Sequence, residues 1–218
     1  MTRRKMKETA MTNTTMKDYH THQAVPQGGY LCSVTREDWP RVAEQTGMTP
    51  CFGIHPRCVE GVDAAQLAFD LDEWLTRYPQ ADVGEVGLDG TDRFRASLEQ
   101  QELLLRVELG AAFRHDRMAH LHGAGAWGRL LELLRERERA GALPRVLLHA
   151  WGGSHEMARE FLRLGAIFSV GLRELMHPKA AERYARIPAG RLFPESDDCP
   201  ESWPRTLELL HALRPDVI

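Results

Sequence analysis

Short apolar runs alternate with longer stretches of helical spacing along almost the whole chain. The runs cover residues 16–22, 30–34, 51–55, 81–88, 117–123, 145–152, 166–171 and 191–197, and most of them close on Gly, Pro or His. Seven helix candidates occupy 35–47, 63–79, 97–113, 127–142, 154–165, 177–188 and 200–215. In the second, Leu67, Leu71, Trp74, Leu75 and Tyr78 share one face, and the pattern stops before Pro79. In the third, Ser97 stands at N-cap spacing from Gln100, the pattern of a capping box. Thr35 and Asp38 form a fair start signal for the first, with Gly47 as its stop.

Strand runs alternating with helices predict parallel strands joined by crossover helices. Eight runs predict an α/β fold, a trimmed (β/α)8 TIM-like barrel, with a doubly wound open sheet as the alternative. The trimming falls at two places. Only QAVPQGG separates the first two runs, fewer than the dozen or so residues a crossover helix needs, and the C-terminus is short. Either that connection is irregular or YLCSV is not a regular barrel strand. No glycine-rich loop of the dinucleotide or P-loop type is present.

Bulk properties narrow the function only slightly. The 218 residues suffice for one well-buried domain, taken as 17–218, with residues 1–16 read as a disordered N-terminal extension. A net charge of −3 lacks the basic footprint of a general nucleic-acid binder, so attraction to a nucleic acid must be local. The four cysteines show no CxxC pairing and read as free thiols in a reducing cytoplasm. No apolar run approaches the roughly 20 residues of a membrane span. The RERERAGALPR stretch at 135–145 reads as Arg–Glu pairs at (i, i+3) along a solvated helix face.

The chemistry sits at the ends of the apolar runs. DYHTHQ places His20 and His22 two apart, which in a strand puts both imidazoles on one face. His55, Glu85, His122, His149 and Asp197 stand at or near the ends of other runs, with Asp89 just beyond Glu85. In a barrel these ends converge on one rim. Taken singly, a strand-end His is a core or rim group, Glu85 a buried carboxylate paired with an Arg, and Asp197 a helix cap. Together they are a shell for two divalent ions, with a bridging carboxylate and terminal imidazoles. His120, the rival in HLH, lies one layer deeper than His122 and is expected in the core or behind a ligand. His115, His155, His177 and His211 read as solvated. Trp127 and Trp151 read as packing residues that also lie close enough to wall the site.

DYHTH (18–22), GIHP (53–56), GEVGLD (84–89), HLHG (120–123), LLHAWGGS (147–154) and ESD (195–197) together resemble the TatD-type metal-dependent deoxyribonucleases, a branch of the amidohydrolase-like TIM barrels. The resemblance runs in family order from Asp18 to Asp197, and GEVGLD is its most specific part. It implies that His20, His22 and Asp197 hold one ion, that Glu85 bridges it to a second, and that His122 and His149 complete the second. It implies a substrate-facing role for His55 and catalytic roles for Glu85 and Asp197, the latter as general base. The implied cofactors are two divalent ions (Mg, Mn or Zn), and the implied partner is DNA or another phosphodiester. Ala124 stands where the family commonly has an Arg, and the features usual after the Asp are missing. A small-molecule hydrolase acting on an amide, lactone or phosphoester is therefore the second expectation, and an inactive subunit completed by a protein partner in an assembly the third.

Overall fold

The computed structural model describes residues 16–218, so the predicted extension at 1–16 lies almost wholly outside the described residues. Eight strands form one parallel sheet in chain order: β1 Asp18–Thr21, β2 Gly29–Cys32, β3 Met48–Phe52, β4 Asp82–Gly87, β5 Met118–His122, β6 Arg145–Leu148, β7 Ile167–Val170 and β8 Leu192–Pro194. The ring closes where Thr21 bridges Asp197 in parallel, with Asp197 N–H donating to the His20 carbonyl at 2.9 Å and His22 N–H to the Asp197 carbonyl at 3.3 Å. Closure decides for the barrel over the open sheet.

The helices are α1 Trp39–Ala43, α2 Ala64–Arg77, α3 Leu98–Arg114, α4 Trp127–Arg139, α5 His155–Arg163, α6 Leu172–Leu175, α7 Ala180–Tyr184 and α8 Trp203–Leu213. None is long and apolar enough to cross a membrane. In α2 the side chain of Asp63 accepts from Gln66 N–H at the start, and Leu67, Leu71 and Leu75 are fully covered. Each such leucine stabilises the fold by about 1.5–3 kcal/mol. Trp74 and Tyr78 pack at the edge of the same core.

No helix lies between β1 and β2, as the short spacing predicts. Of the two readings left open, the irregular connection is the one observed, because β2 pairs with β3 in regular register over four residues. The chain turns back through a Gly28 N–H bond to the Val25 carbonyl. Gly29 then passes so close to β1 that a Cβ there would lie 2.1 Å from the Asp18 carbonyl oxygen, at φ +152°.

Three expectations need correcting. β3 spans Met48–Phe52 rather than 51–55. Pro50, which has no N–H, lies on the part paired only with β2, since pairing with β4 begins at Cys51. Ser97 does not cap α3 with its side chain. Its hydroxyl donates to the Phe94 carbonyl, while Gln100 reaches the Val62 carbonyl. In the 135–145 stretch the ion pairs run across helices, Arg135 with Glu160 on α5 and Glu136 with Arg106 on α3, while Arg137 and Arg145 donate to the Ala142 and Asp116 carbonyls.

Candidate metal centre

Every site residue predicted from the sequence reaches the C-terminal rim of the barrel. His20, Glu85 and His122 lie on β1, β4 and β5, and His22 follows β1 directly. His55 and His149 lie just past β3 and β6, and backbone bonds extend the ladder to them: His55 N–H to the Val34 carbonyl at 2.8 Å, His149 N–H to the Leu121 carbonyl at 3.1 Å. Asp197 follows β8 at φ +53°, a left-handed conformation that Asp tolerates better than most residues. Gly87, at φ +139°, lets β4 approach β5, because a Cβ there would lie 2.1 Å from the His122 carbonyl oxygen.

Glu85 is the hub. Its Oε2 faces His22 Nε2 at 2.9 Å and His20 Nε2 at 3.3 Å. Its Oε1 faces His122 Nδ1 and His149 Nε2, both at 2.8 Å, and His55 Nε2 at 3.3 Å. Asp197 Oδ1 lies 3.7 Å from His22 Nε2 and 4.0 Å from His20 Nε2. Burial opposes charge on Glu85, but the imidazoles of His149, His55 and His122 outweigh it and hold the carboxyl well below its usual range. Around Asp197, crowding raises the carboxyl above its ordinary value against the pull of His149, and the negative charge of Glu85 adds to the rise.

The far nitrogens of His20 and His22 both meet Cys32, while those of His122 and His149 have a carboxylate nearby without a hydrogen bond to it. His22 Nδ1 is 3.0 Å from the Cys32 carbonyl, and His20 Nδ1 is 3.4 Å from Cys32 Sγ. His122 Nε2 lies 3.4 Å from Asp89, and His149 Nδ1 lies 3.6 Å from Glu195. Burial opposes ionisation of Asp89, yet His122, Thr91 and Arg57 keep it well below the usual carboxylate range. Glu195 also accepts from Ala150 N–H at 2.8 Å and from the Ser169 hydroxyl. A carboxylate or carbonyl behind an imidazole is the usual support of a metal-ligating histidine. His55 differs: its Nδ1 accepts from Arg57 N–H at 3.0 Å, so the neutral ring carries its proton on Nε2 and points a donor into the site.

Sequence reasoning noted Asp89 and Glu195 within motifs without giving either a task, and did not connect Cys32 with the site. The signal for the two acids was position, one at each end of a polar cluster beside a strand end. His120 lies deeper, 3.7 Å from Asp82 and 4.9 Å from the Tyr30 ring. Of the histidines read as solvated, His115 is partly buried against Asp72 at 2.9 Å, and His177 lines the site's mouth. Trp151 is fully covered, packed against Trp127, Phe161 and Phe168 and off the cavity wall, whereas Trp127 does reach that wall.

The cluster forms the floor of a cavity of about 1140 Å³. Nitrogen and carboxylate donors lie within 4.8 Å of one another in several groups, among them His20–His22–Glu85, His20–His149–Asp197 and His55–Glu85–His122. His20 Nε2 is buried without a hydrogen-bond partner, as a donor atom aimed at a cation would be. The donor set fits divalent metal ions.

A family profile described as TatD related DNase matches residues 9–212. The chain is 31% identical over 154 residues to an uncharacterised metal-dependent hydrolase, YjjV, of Escherichia coli, covering 67% of this chain and 56% of that protein. It is 33% identical over 135 residues to the human deoxyribonuclease TATDN3, covering 56% of this chain and 46% of that one. The matches thus span about half the length of these relatives. The crystal structure of the E. coli YjjV protein superposes with a TM-score of 0.80 at 25% identity, covering 91% of this chain and 90% of that one. A TatD family hydrolase of Entamoeba histolytica superposes with 0.63 at 21% identity, over 79% of this chain and 60% of that one, a likeness of fold.

Proposed function

The chain belongs to the TatD-related DNase family, and from that premise we propose that residues 17–218 form one metal-dependent hydrolase that cleaves phosphodiester bonds of DNA, at single strands or strand ends, with two divalent ions. The observation that carries this reading is the division of Glu85, one oxygen toward His20 and His22 and the other toward His122 and His149. A bridging carboxylate between two sets of imidazoles is the donor arrangement of a two-ion site. His20, His22 and Asp197 hold one ion, and His122 and His149 the other. Mixed imidazole and carboxylate donors suit Mn or Zn, and Mg where water completes its shell.

Ions bound there supply Lewis-acid stabilisation of a phosphoryl oxygen and make a water acidic near neutral pH. The chain's own groups do the rest. Asp197, more open than Glu85 with 41% against 2% side-chain exposure, faces the cavity and serves as proton acceptor. His55 donates from Nε2 to a substrate oxygen. Free cysteines, two of them buried, agree with a reducing, cytoplasmic setting.

Ala124 on the cavity wall favours the second reading, hydrolysis of a small ester or amide with the same ions. The deciding experiment measures metal per chain and cleavage of a labelled single-stranded oligonucleotide with Mn²⁺ or Mg²⁺ against EDTA. Metal-dependent cleavage is expected. Bound metal with hydrolysis of small esters alone moves the assignment to the second reading, and no bound metal refutes both.

A further inference from the structure

Two arginines line the cavity from opposite sides of the barrel. Arg57 follows β3, and Arg183 lies on α7, between β7 and β8. In a closed ring of eight, β3 and β7 stand four places apart, across the full diameter. Strands spaced about 4.8 Å apart and tilted about 36° give a ring about 15 Å across. The Glu85 cluster lies between, on the same cavity floor.

Each arginine is held by its surroundings. Arg57 Nε donates at 2.7 Å to Asp89, which is fully buried, and the guanidinium rests over the Phe94 ring at 5.3 Å. Arg57 lines the cavity with its side chain 46% exposed. Arg183 Nη2 lies 3.5 Å from His177 Nε2 and makes no ion pair among the described residues. The third cavity arginine, Arg173, is paired with Glu174 at 3.1 Å and lies on α6, in the same connection between β7 and β8 as Arg183 rather than across the barrel from it.

We propose that Arg57 and Arg183 bind the phosphates on either side of the one at the metal centre, so that the site takes a single strand laid across the barrel mouth. The proposal rests on the phosphodiester reading of the site. A lone phosphoester spans only the centre, whereas a strand of a few nucleotides reaches both arginines. The cations that Ala124 does not provide then come from Arg57 and Arg183, placed on either side of the carboxylates Glu85, Asp197 and Asp198 that line the same cavity.

The test is binding of a fluorescent hexadeoxynucleotide by anisotropy in Ca²⁺, over a salt series, beside a dinucleoside monophosphate that carries no flanking phosphate. R57Q and R183Q are each expected to weaken hexanucleotide binding about tenfold, as loss of a charge-assisted hydrogen bond does, and to lower the salt slope by about 0.7. The dinucleoside monophosphate is expected to lose less than about twofold, since it makes neither flanking contact. R183Q breaks no ion pair among the described residues, a thermal melt of each variant checks that it is folded, and R57K, which keeps a charge at Asp89, is expected to recover part of the lost affinity. Unchanged binding in both glutamine variants, equal losses for the two probes, or no hexanucleotide binding by the wild type overturns the proposal. Binding with the expected losses but no cleavage in Mn²⁺ overturns the nuclease reading and leaves the strand-binding surface standing.

Discussion

Glu85 meets His22 through Oε2 at 2.9 Å and His122 and His149 through Oε1, both at 2.8 Å. One side chain therefore serves both halves of the cluster. Glu85→Ala is expected to empty the site of metal and take cleavage to background, whereas His120→Ala, removing a ring 3.7 Å from Asp82 rather than one at the hub, is expected to leave metal content intact. Plasma emission spectrometry on the purified variants checks this. Equal metal loss in the two would refute the choice of His122 over His120.

Asp89 and Glu195 stand behind His122 and His149, at 3.4 and 3.6 Å, on the side of each ring away from Glu85. Asp89→Asn and Glu195→Gln keep shape and remove charge. Each is expected to weaken metal affinity about 10- to 100-fold. Competition with a chromophoric chelator measures it, and unchanged affinity would reduce both groups to packing.

Glu108 on α3 is buried, and burial pushes its carboxyl well above the usual range despite the 2.9 Å bond it accepts from Ile54 N–H. A carboxyl raised on folding holds its proton in the native state where the unfolded chain has released it. Stability is therefore full below about pH 4.3, the unfolded value, and falls as pH rises above it until the folded value is reached. Glu108→Gln abolishes this dependence, so its stability relative to wild type should grow from pH 4 to pH 7. Glu108→Ala orphans the Ile54 amide and should cost about 1–3 kcal/mol. Urea titrations at the two pH values distinguish these outcomes.

The first crossing of the chain depends on a missing side chain. Gly29→Ala brings a Cβ to 2.1 Å from the Asp18 carbonyl and is expected to cost at least about 2 kcal/mol. At Gly190 nothing lies within 4 Å, so Gly190→Ala should change stability by less than about 0.5 kcal/mol. Thermal melts of the pair test the steric account directly.

All eight strands were legible because buried parallel strands read as compact apolar runs, and the polar residues at their ends had nowhere else to converge. The partners of the histidines were harder to see. Which atom backs an imidazole depends on ring rotation and on loops that fold over the rim, so Cys32 behind both His20 and His22 has no counterpart in spacing. The shift of β3 and the failed cap at Ser97 share one cause. Pro50 and the Phe94 carbonyl each change where backbone hydrogen bonds begin, and local pattern does not record that. The short α6 was missed because four residues are too few to show a period.

The seam between β1 and the end of β8 is stitched by the backbone of His20, His22 and Asp197, the same residues whose side chains meet in the cluster: the two imidazoles face Glu85, and Asp197 faces the imidazoles. Unzipping the barrel at that seam and scattering the cluster are thus one event. An ion that grips those side chains acts as a rivet through the joint where the ring closes on a single bridge. Amide exchange at His22 and Asp197 should then slow more than elsewhere on metal loading, so that the integrity of the fold and the occupancy of the site are read from the same two protons.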